Sequence, residues 1–228
     1  MYKDISLFCI RMNVVLVTSM IRPINGPSIF TTTERISQTI KTIETVRKKI
    51  ERCYIVLIEG SIIEEDEKKL LKESVDNIYA FDVTPCYKSI GEAILICNYL
   101  SSDSFKELKN VNTVTKISGR YHLNTGFDDI HKFSLYSPYS KFFQSFCILY
   151  VEQTHIHLGA FNTTFYKMHV SGLPFFIEGL NRYIHSEKPV YDIEHSFNVY
   201  NVVPKDYCKL HKIHVSGLIS SNGTHVDM

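Results

Sequence analysis

Lys116-Ile117-Ser118-Gly119-Arg120-Tyr121-His122-Leu123 is the stretch on which the reading of the fold turns. It follows residues 111–115, Val-Asn-Thr-Val-Thr, whose β-branched side chains read as a buried strand. A strand running into Ser118-Gly119-Arg120 brings a hydroxyl, a residue without a Cβ and a fixed cation to its C-terminal end. In open α/β sheets that is the edge where ligands bind. Gly119 would let a ligand approach the backbone, and the planar fork of Arg120 suits phosphate or carboxylate. The same residues also describe a strand closed by a turn, with Arg120 in solvent. The preceding chain decides between the two.

That chain alternates. Residues 14–17, Val-Val-Leu-Val, read as a first buried parallel strand ending in Thr18-Ser19. Pro23, Gly26 and Pro27 make a loop of residues 20–30. Thr31 and Glu34 have capping-box spacing, and Ile36, Ile40, Ile43, Val46 and Ile50 follow at helical period. Arg35, Gln38, Lys41, Arg47 and Lys48 fall on the polar face. Residues 54–58 predict a second strand, closed by Glu59-Gly60-Ser61. Ser61 and Glu64 repeat the capping-box pattern and open a helix through Val75. Residues 77–81 predict a third strand, and Lys88-Ser89-Ile90-Gly91-Glu92 opens a helix to about Leu100. This alternation predicts an α/β fold, a parallel Rossmann-like sheet flanked by helices.

The second half is different. Residues 142–151 and 163–169 read as strands, 174–184 and 192–200 as helices, and 212–217 as a last short strand. No repeat, low-complexity tract or Gly/Ser linker interrupts the chain. The expectation is one compact domain over residues 1–228 with two unequal halves, about 1–125 and about 126–228.

Composition narrows the function. With 228 residues, 44% hydrophobic and 21% charged, the chain matches soluble globular proteins and can bury a sizeable core. A formal net charge of +1 argues against a general binder of nucleic acid or acidic membranes. Six cysteines without a CxxC pair read as reduced core thiols, and no histidine joins them at zinc-finger spacing. No signal peptide or membrane span is expected, so the predicted location is the cytoplasm. The aromatic-rich residues 133–146 read first as core, with an acceptor cleft or a dimer surface as alternatives; no feature specifies an oligomeric state.

The parallel-sheet reading converges Thr18 and Ser19, Glu59, and Ser118 with Arg120 at one edge. Lys88 and Gly91 stand at the next helix start, with Arg22 and Arg35 as further cations. A helix N-terminus with nearby Lys and Arg suits a diphosphate, and an acid ending the second strand suits a ribose hydroxyl or a base N–H. Each residue also has a plain structural reading: Glu59 as a helix-capping acid, Lys88 as a solvated charge, Arg35 as an exposed helix residue. Their joint placement favours the site. The first strand lacks a following GxGxxG, which disfavours a dinucleotide, and GxxxxGK[ST] and GxSxG are absent too. In Asp192-Ile193-Glu194-His195, Asp192 and His195 share a helix face while Glu194 points elsewhere. A carboxylate there suits a general base; a helix start with a capping Asp192 is the structural alternative.

Residues 14–18, Arg35-Ile-x-Gln38-Thr-Ile, residues 54–59 and residues 88–100 resemble nucleotide-sugar glycosyltransferases of the GT-A fold. Lys116-Ile-Ser-Gly-Arg-Tyr121, Thr164-Phe-Tyr-Lys167 and Asp192-Ile-Glu-His195 resemble more narrowly a group of glycosyltransferase-like proteins of large DNA viruses, phages and bacteria. The resemblance implies a donor half, an acceptor half, and transfer of a sugar from a nucleotide diphosphate to a glycan hydroxyl. It implies that Thr18 and Ser19 line the nucleotide pocket, with Glu59 near the base or ribose and Lys88 and Gly91 close by. Glu194 would be the base of an inverting transfer, with Asp192 as fallback. Many GT-A enzymes hold a divalent cation, such as Mn²⁺ or Mg²⁺, on an Asp-x-Asp where this chain has Ser118-Gly119-Arg120. Arg120 can neutralise a leaving diphosphate in its place, with Lys116 assisting or simply packing. Asp128-Asp129 is the other place for a metal. Two alternatives stand beside this reading: a GT-A-like domain that binds a glycan or a partner without catalysis, and an α/β methyltransferase.

Overall fold

A computed structural model describes residues 12–23, 28–84, 86, 88–127, 163–186, 192–200, 214–219 and 222–227. The expected strand over residues 142–151, the aromatic stretch 133–146 and Asp128-Asp129 lie outside the described residues.

Strand β1 (Met12–Ser19) is followed by helix α1 (Thr32–Lys49), β2 (Cys53–Glu59), α2 (Glu65–Lys72), β3 (Asn77–Ala80) and α3 (Lys88–Ser101). The short α4 (Asp103–Lys106) leads to β4 (Val111–Ser118) and β5 (Tyr121–Leu123). Further on come β6 (Phe165–His169), α5 (Leu173–Ile184), α6 (Ile193–Val199), β7 (Val215–Leu218) and β8 (His225–Asp227). The main sheet has the order β3-β2-β1-β4-β6, parallel except for β6. Strands β5, β7 and β8 form a second, antiparallel sheet. The expected α/β architecture holds.

Alternation along the buried strands distributes the core. Val14, Leu16, Val56, Ile58 and Val114 face α3, α5 and α6, while Val15, Val17, Ile55, Leu57 and Ile117 face α1. Both faces are covered, which is why these strands read as continuous apolar runs.

Local signals succeeded where they were self-contained. Thr31 caps α1 with its hydroxyl on the Glu34 N–H, and Glu34 returns the bond to the Thr31 N–H at 2.7 Å. The second capping box is corrected. Glu64, not Ser61, starts α2, with Glu67 closing the box, because the Ser61 hydroxyl donates to Glu59 and accepts from the Arg22 N–H. The helix ends at Lys72, short of Val75. Strand β4 runs on through Ser118, so Lys116 and Ser118 are strand residues. Arg35, placed on the polar face by periodicity, is only 5% exposed.

Candidate functional site

Register builds the site. Ser19 pairs with Glu59 across β1–β2 and Thr18 with Ser118 across β1–β4, so the strand C-termini end level. Because neighbouring side chains on a strand alternate, the polar residues there divide between the two faces of the sheet.

On the α1 face, Glu59 is fully buried. Its Oε1 accepts from the backbone N–H of Ile21 at 3.0 Å, from the N–H of Ser61 at 2.9 Å, and from the Ser61 hydroxyl. Burial pushes this carboxyl above its ordinary range, against the pull of the bonds from Ser61, Ile21 and Ser19. Arg35 donates from Nη1 to the Met20 carbonyl at 2.8 Å and from Nη2 to the Ser28 hydroxyl at 2.6 Å. Glu59 and Arg35 thus clamp both ends of the segment between β1 and α1. Ser19 lies 3.4 Å from the Thr39 hydroxyl on the same side. Arg22 points elsewhere, pairing with Glu67 at 2.8 Å and Glu64 at 3.2 Å at the start of α2.

On the α3 face, Lys116 is 1% exposed, and its Nζ reaches Glu92 Oε1 at 2.5 Å, the Thr163 carbonyl at 2.6 Å and the Ser118 hydroxyl at 2.8 Å. Three acceptors exhaust the three protons of an ammonium. Lys116 is therefore committed to the protein and is no spare cation for a phosphate. Thr18 donates to the same Glu92 oxygen at 3.4 Å. The Thr163 hydroxyl reaches Glu194 Oε1 at 3.2 Å, which joins the carboxylate of α6 to the same cluster. Burial, then the negative charges of Glu92 and Asp192, hold the Glu194 carboxyl above its usual range; Lys116 pulls the other way. Asp192 is the N-cap of α6, accepting from the His195 N–H at 2.9 Å and lying 2.6 Å from the His195 ring.

Arg120 stands between the faces. Its Nε is buried with no hydrogen-bond partner among the described residues. Burial lowers its guanidinium below the ordinary value, opposed by Tyr121 and Glu92. Arg35, lowered to about 10 by burial and then by the charge of Arg120, is close enough to repel it. Two guanidinium groups thus stand close enough to repel each other, one of them with a buried N–H that has no partner among the described residues.

Both glycines of the motif regions do packing work. Gly119 sits where a Cβ would stand 3.1 Å from the Thr39 hydroxyl and 3.2 Å from the Thr18 carbonyl. It allows β4 to turn against β1 and α1, so its open side is filled by protein, against the expectation of a ligand there. A Cβ on Gly91 would stand 3.2 Å from a methyl of Val83, so this residue lets the start of α3 pack closely. Lys88 opens α3 as expected.

Sequence reasoning missed Glu92. It was visible only as one acid in the first turns of α3, and nothing local showed that a buried lysine on β4 would meet it. Among the described residues no group of three or more His, Cys, Asp or Glu side chains stands close enough to hold a metal ion. An Asp-x-Asp metal site has no counterpart at the end of β4. Among the described residues no helix is long and apolar enough to cross a membrane.

No protein-family model matches the sequence, and no curated protein matches it. Solved structures do. The glycosyltransferase GlyE of Streptococcus pneumoniae TIGR4 is similar with a TM-score of 0.50 at 10% identity, over 88% of this chain and 45% of that one. This chain therefore spans less than half the length of that neighbour. The 4-diphosphocytidyl-2C-methyl-D-erythritol synthase of Anaerococcus prevotii DSM 20548 is similar with a TM-score of 0.51 at 12% identity. That likeness covers 94% of this chain and 92% of the synthase. The fold is GT-A-like. It is a mixed α/β fold that a glycosyltransferase and a diphosphocytidyl synthase share with this chain.

Proposed function

We propose that the chain is a glycosyltransferase that takes a sugar from a nucleotide-diphosphate donor and passes it to a hydroxyl of a glycan acceptor. The observation that carries this reading is Arg120, whose buried Nε has no partner among the described residues at the C-terminal edge of β4. A diphosphate is an acceptor suited to the N–H that lacks one, and a preorganised cation stabilises the charge that develops on a leaving diphosphate. Thr18, Ser19, Gly91 and Lys88 frame the donor side in this reading, with Arg35 adding positive potential from behind. Glu59, Lys116 and Ser118 hold the frame.

Glu194 supplies the base. The acceptor oxygen bonds to the anomeric carbon as the bond from that carbon to the diphosphate oxygen breaks. The bonding pair leaves with the diphosphate, and the hydroxyl proton passes to Glu194. A carboxylate whose proton affinity is raised by burial suits that task. Asp192, occupied as a helix cap, is the weaker choice. In this reading Arg120 provides the charge at the diphosphate, and Asp128-Asp129 is the place to look for a divalent cation.

A second reading is nucleotidyl transfer, favoured by the near-complete overlap with the diphosphocytidyl synthase. In it Arg120 would meet a triphosphate. Thermal-shift titration with nucleoside diphosphates, nucleotide-sugars and nucleoside triphosphates, with and without Mn²⁺, separates the two. A ligand at about 100 times its dissociation constant adds about 2.7 kcal/mol, well within reach of a melt. Stabilisation by one nucleotide-sugar, weakened about ten- to hundredfold in Arg120→Ala, supports glycosyl transfer; a charge-assisted contact of about 1.5–3 kcal/mol sets that range. Stabilisation only by a triphosphate, with pyrophosphate released, moves the reading to nucleotidyl transfer. A response only to S-adenosylmethionine or to a bare glycan overturns both.

A further inference from the structure

The side-chain chain on the α3 face joins five parts of the molecule. Thr18 of β1 donates to Glu92 of α3 at 3.4 Å, and Glu92 holds Lys116 of β4 at 2.5 Å. Lys116 holds the Thr163 carbonyl at 2.6 Å, and the Thr163 hydroxyl reaches Glu194 of α6 at 3.2 Å. Nothing in the donor reading requires this continuity. A buried lysine bonded to protein, with its acceptor Thr163 hydrogen-bonded directly to the candidate base, is an arrangement for holding a proton affinity.

We propose that Glu92 and Lys116 are positioning residues for Glu194, the ion pair on the donor-side strand and helix setting how tightly the acceptor-side carboxylate holds a proton. The proposal rests on reading Glu194 as the base, but the network it invokes exists without substrate. Lys116 fixes Thr163 by its carbonyl, which aims the Thr163 hydroxyl at Glu194. The net charge seen by Glu194 is that of a pair, the Lys116 cation opposed by the Glu92 anion that it holds at 2.5 Å. Among the described residues, the other titratable groups facing this network are Asp192, tied to His195 on its own helix, Tyr183 of α5, and Tyr166 of β6, whose ring centroid lies 5.9 Å from Lys116 Nζ. Of these, burial raises both tyrosine hydroxyls, which stay neutral throughout the carboxylate range.

Signs follow from charge. Glu92→Gln removes an anion that raises Glu194 and frees Lys116 to attract it, so Glu194 should titrate lower. Thr163→Val removes the donor to the ionised carboxylate while leaving the ion pair intact, so Glu194 should titrate higher. The experiment is ¹³C NMR titration of the side-chain carboxyl carbons in the glutamate-labelled full chain without ligand, with Glu194→Gln identifying the resonance. Opposite shifts in the two variants support the proposal, because loss of packing alone would move both the same way. An unchanged midpoint in either variant, or shifts of one sign, overturns it. If Glu92→Gln does not fold, Thr163→Val still decides: a midpoint that fails to rise overturns the proposal. Shifts present without nucleotide-sugar binding would sink the glycosyltransferase reading alone; transfer retained without the shifts would sink this inference alone.

Discussion

Glu59, fully buried, and Glu92, whose side chain is 20% exposed, are acids beside the same row of strand ends, one on each face of the main sheet. Glu59 spends its oxygen on the backbone N–H groups of Ile21 and Ser61, and its neighbour Arg35 spends its fork on the Met20 carbonyl and the Ser28 hydroxyl. Glu92 instead meets the side chains of Lys116 and Thr18, and through Lys116 it reaches Thr163 and Glu194. An acid bonded to main chain holds a loop in place, and its removal is felt as lost structure. An acid bonded to other ionisable side chains changes how they titrate. The difference is between an α1 face whose polar side chains hold main chain and an α3 face whose polar side chains hold one another.

The largest expected effect lies on the α3 face. Lys116→Met leaves the partly buried Glu92 without its cation; a fully buried pair broken from one side costs about 3–5 kcal/mol, and the exposed fifth of Glu92 brings the expected loss to about 2–3 kcal/mol. Urea unfolding measures it; a loss below about 1 kcal/mol would mean the pair is solvated and the contrast between faces is empty. Next is the pH dependence of the α1 face. The folded state holds the Glu59 proton more tightly than the unfolded chain does, so the stability that Glu59 contributes is greatest in acid. It falls as pH rises from about 4.3, the unfolded carboxylate value, through the higher folded midpoint. Glu59→Gln should flatten that fall, by about 1.4 kcal/mol for each unit of raised midpoint. An identical pH profile in the variant would remove Glu59 from the account. Glu194→Gln flattens the same fall by its own share, since its carboxyl is raised too.

Gly119→Ala is smaller. Its Cβ would press on the Thr18 carbonyl, which is main chain and yields little, so a melt should show a loss of about 1 kcal/mol. No loss would reopen the space for a ligand. Smallest is Arg120→Ala, which removes a buried charge and its repulsion with Arg35. Its melting temperature should equal or exceed that of the parent chain, while anion binding weakens. A destabilised Arg120→Ala would place this arginine among the scaffold residues.

The fold was legible because its signals are local or periodic. Val14 to Val17 and residues 55–58 are apolar without a break because both faces of the sheet are covered. The Thr31–Glu34 capping box needs only three residues of separation. Ser61 misled for the opposite reason: its hydroxyl had a better partner in Glu59, and the helix began at Glu64 instead. Gly119 was read as open backbone when its missing Cβ makes room for Thr39 and Thr18. Arg35 had the periodicity of a surface residue and became a buried brace. Lys116 stood within the motif throughout, yet its task became clear only with Glu92 beside it.

By itself the sequence determined the alternation of strands and helices, the level at which polar residues leave the strands, and the presence of Arg120 and Glu194 as charged candidates. These follow from hydrophobic period and from neighbours three or four residues apart. Tertiary structure alone decided which face each polar residue serves, that Lys116 is spent on Glu92, and that Thr163 carries the connection to Glu194. Those contacts join residues such as Lys116 and Thr163 that are 47 positions apart in the chain. No local propensity encodes such a pairing: it exists only when packing removes the water that would otherwise satisfy the same groups.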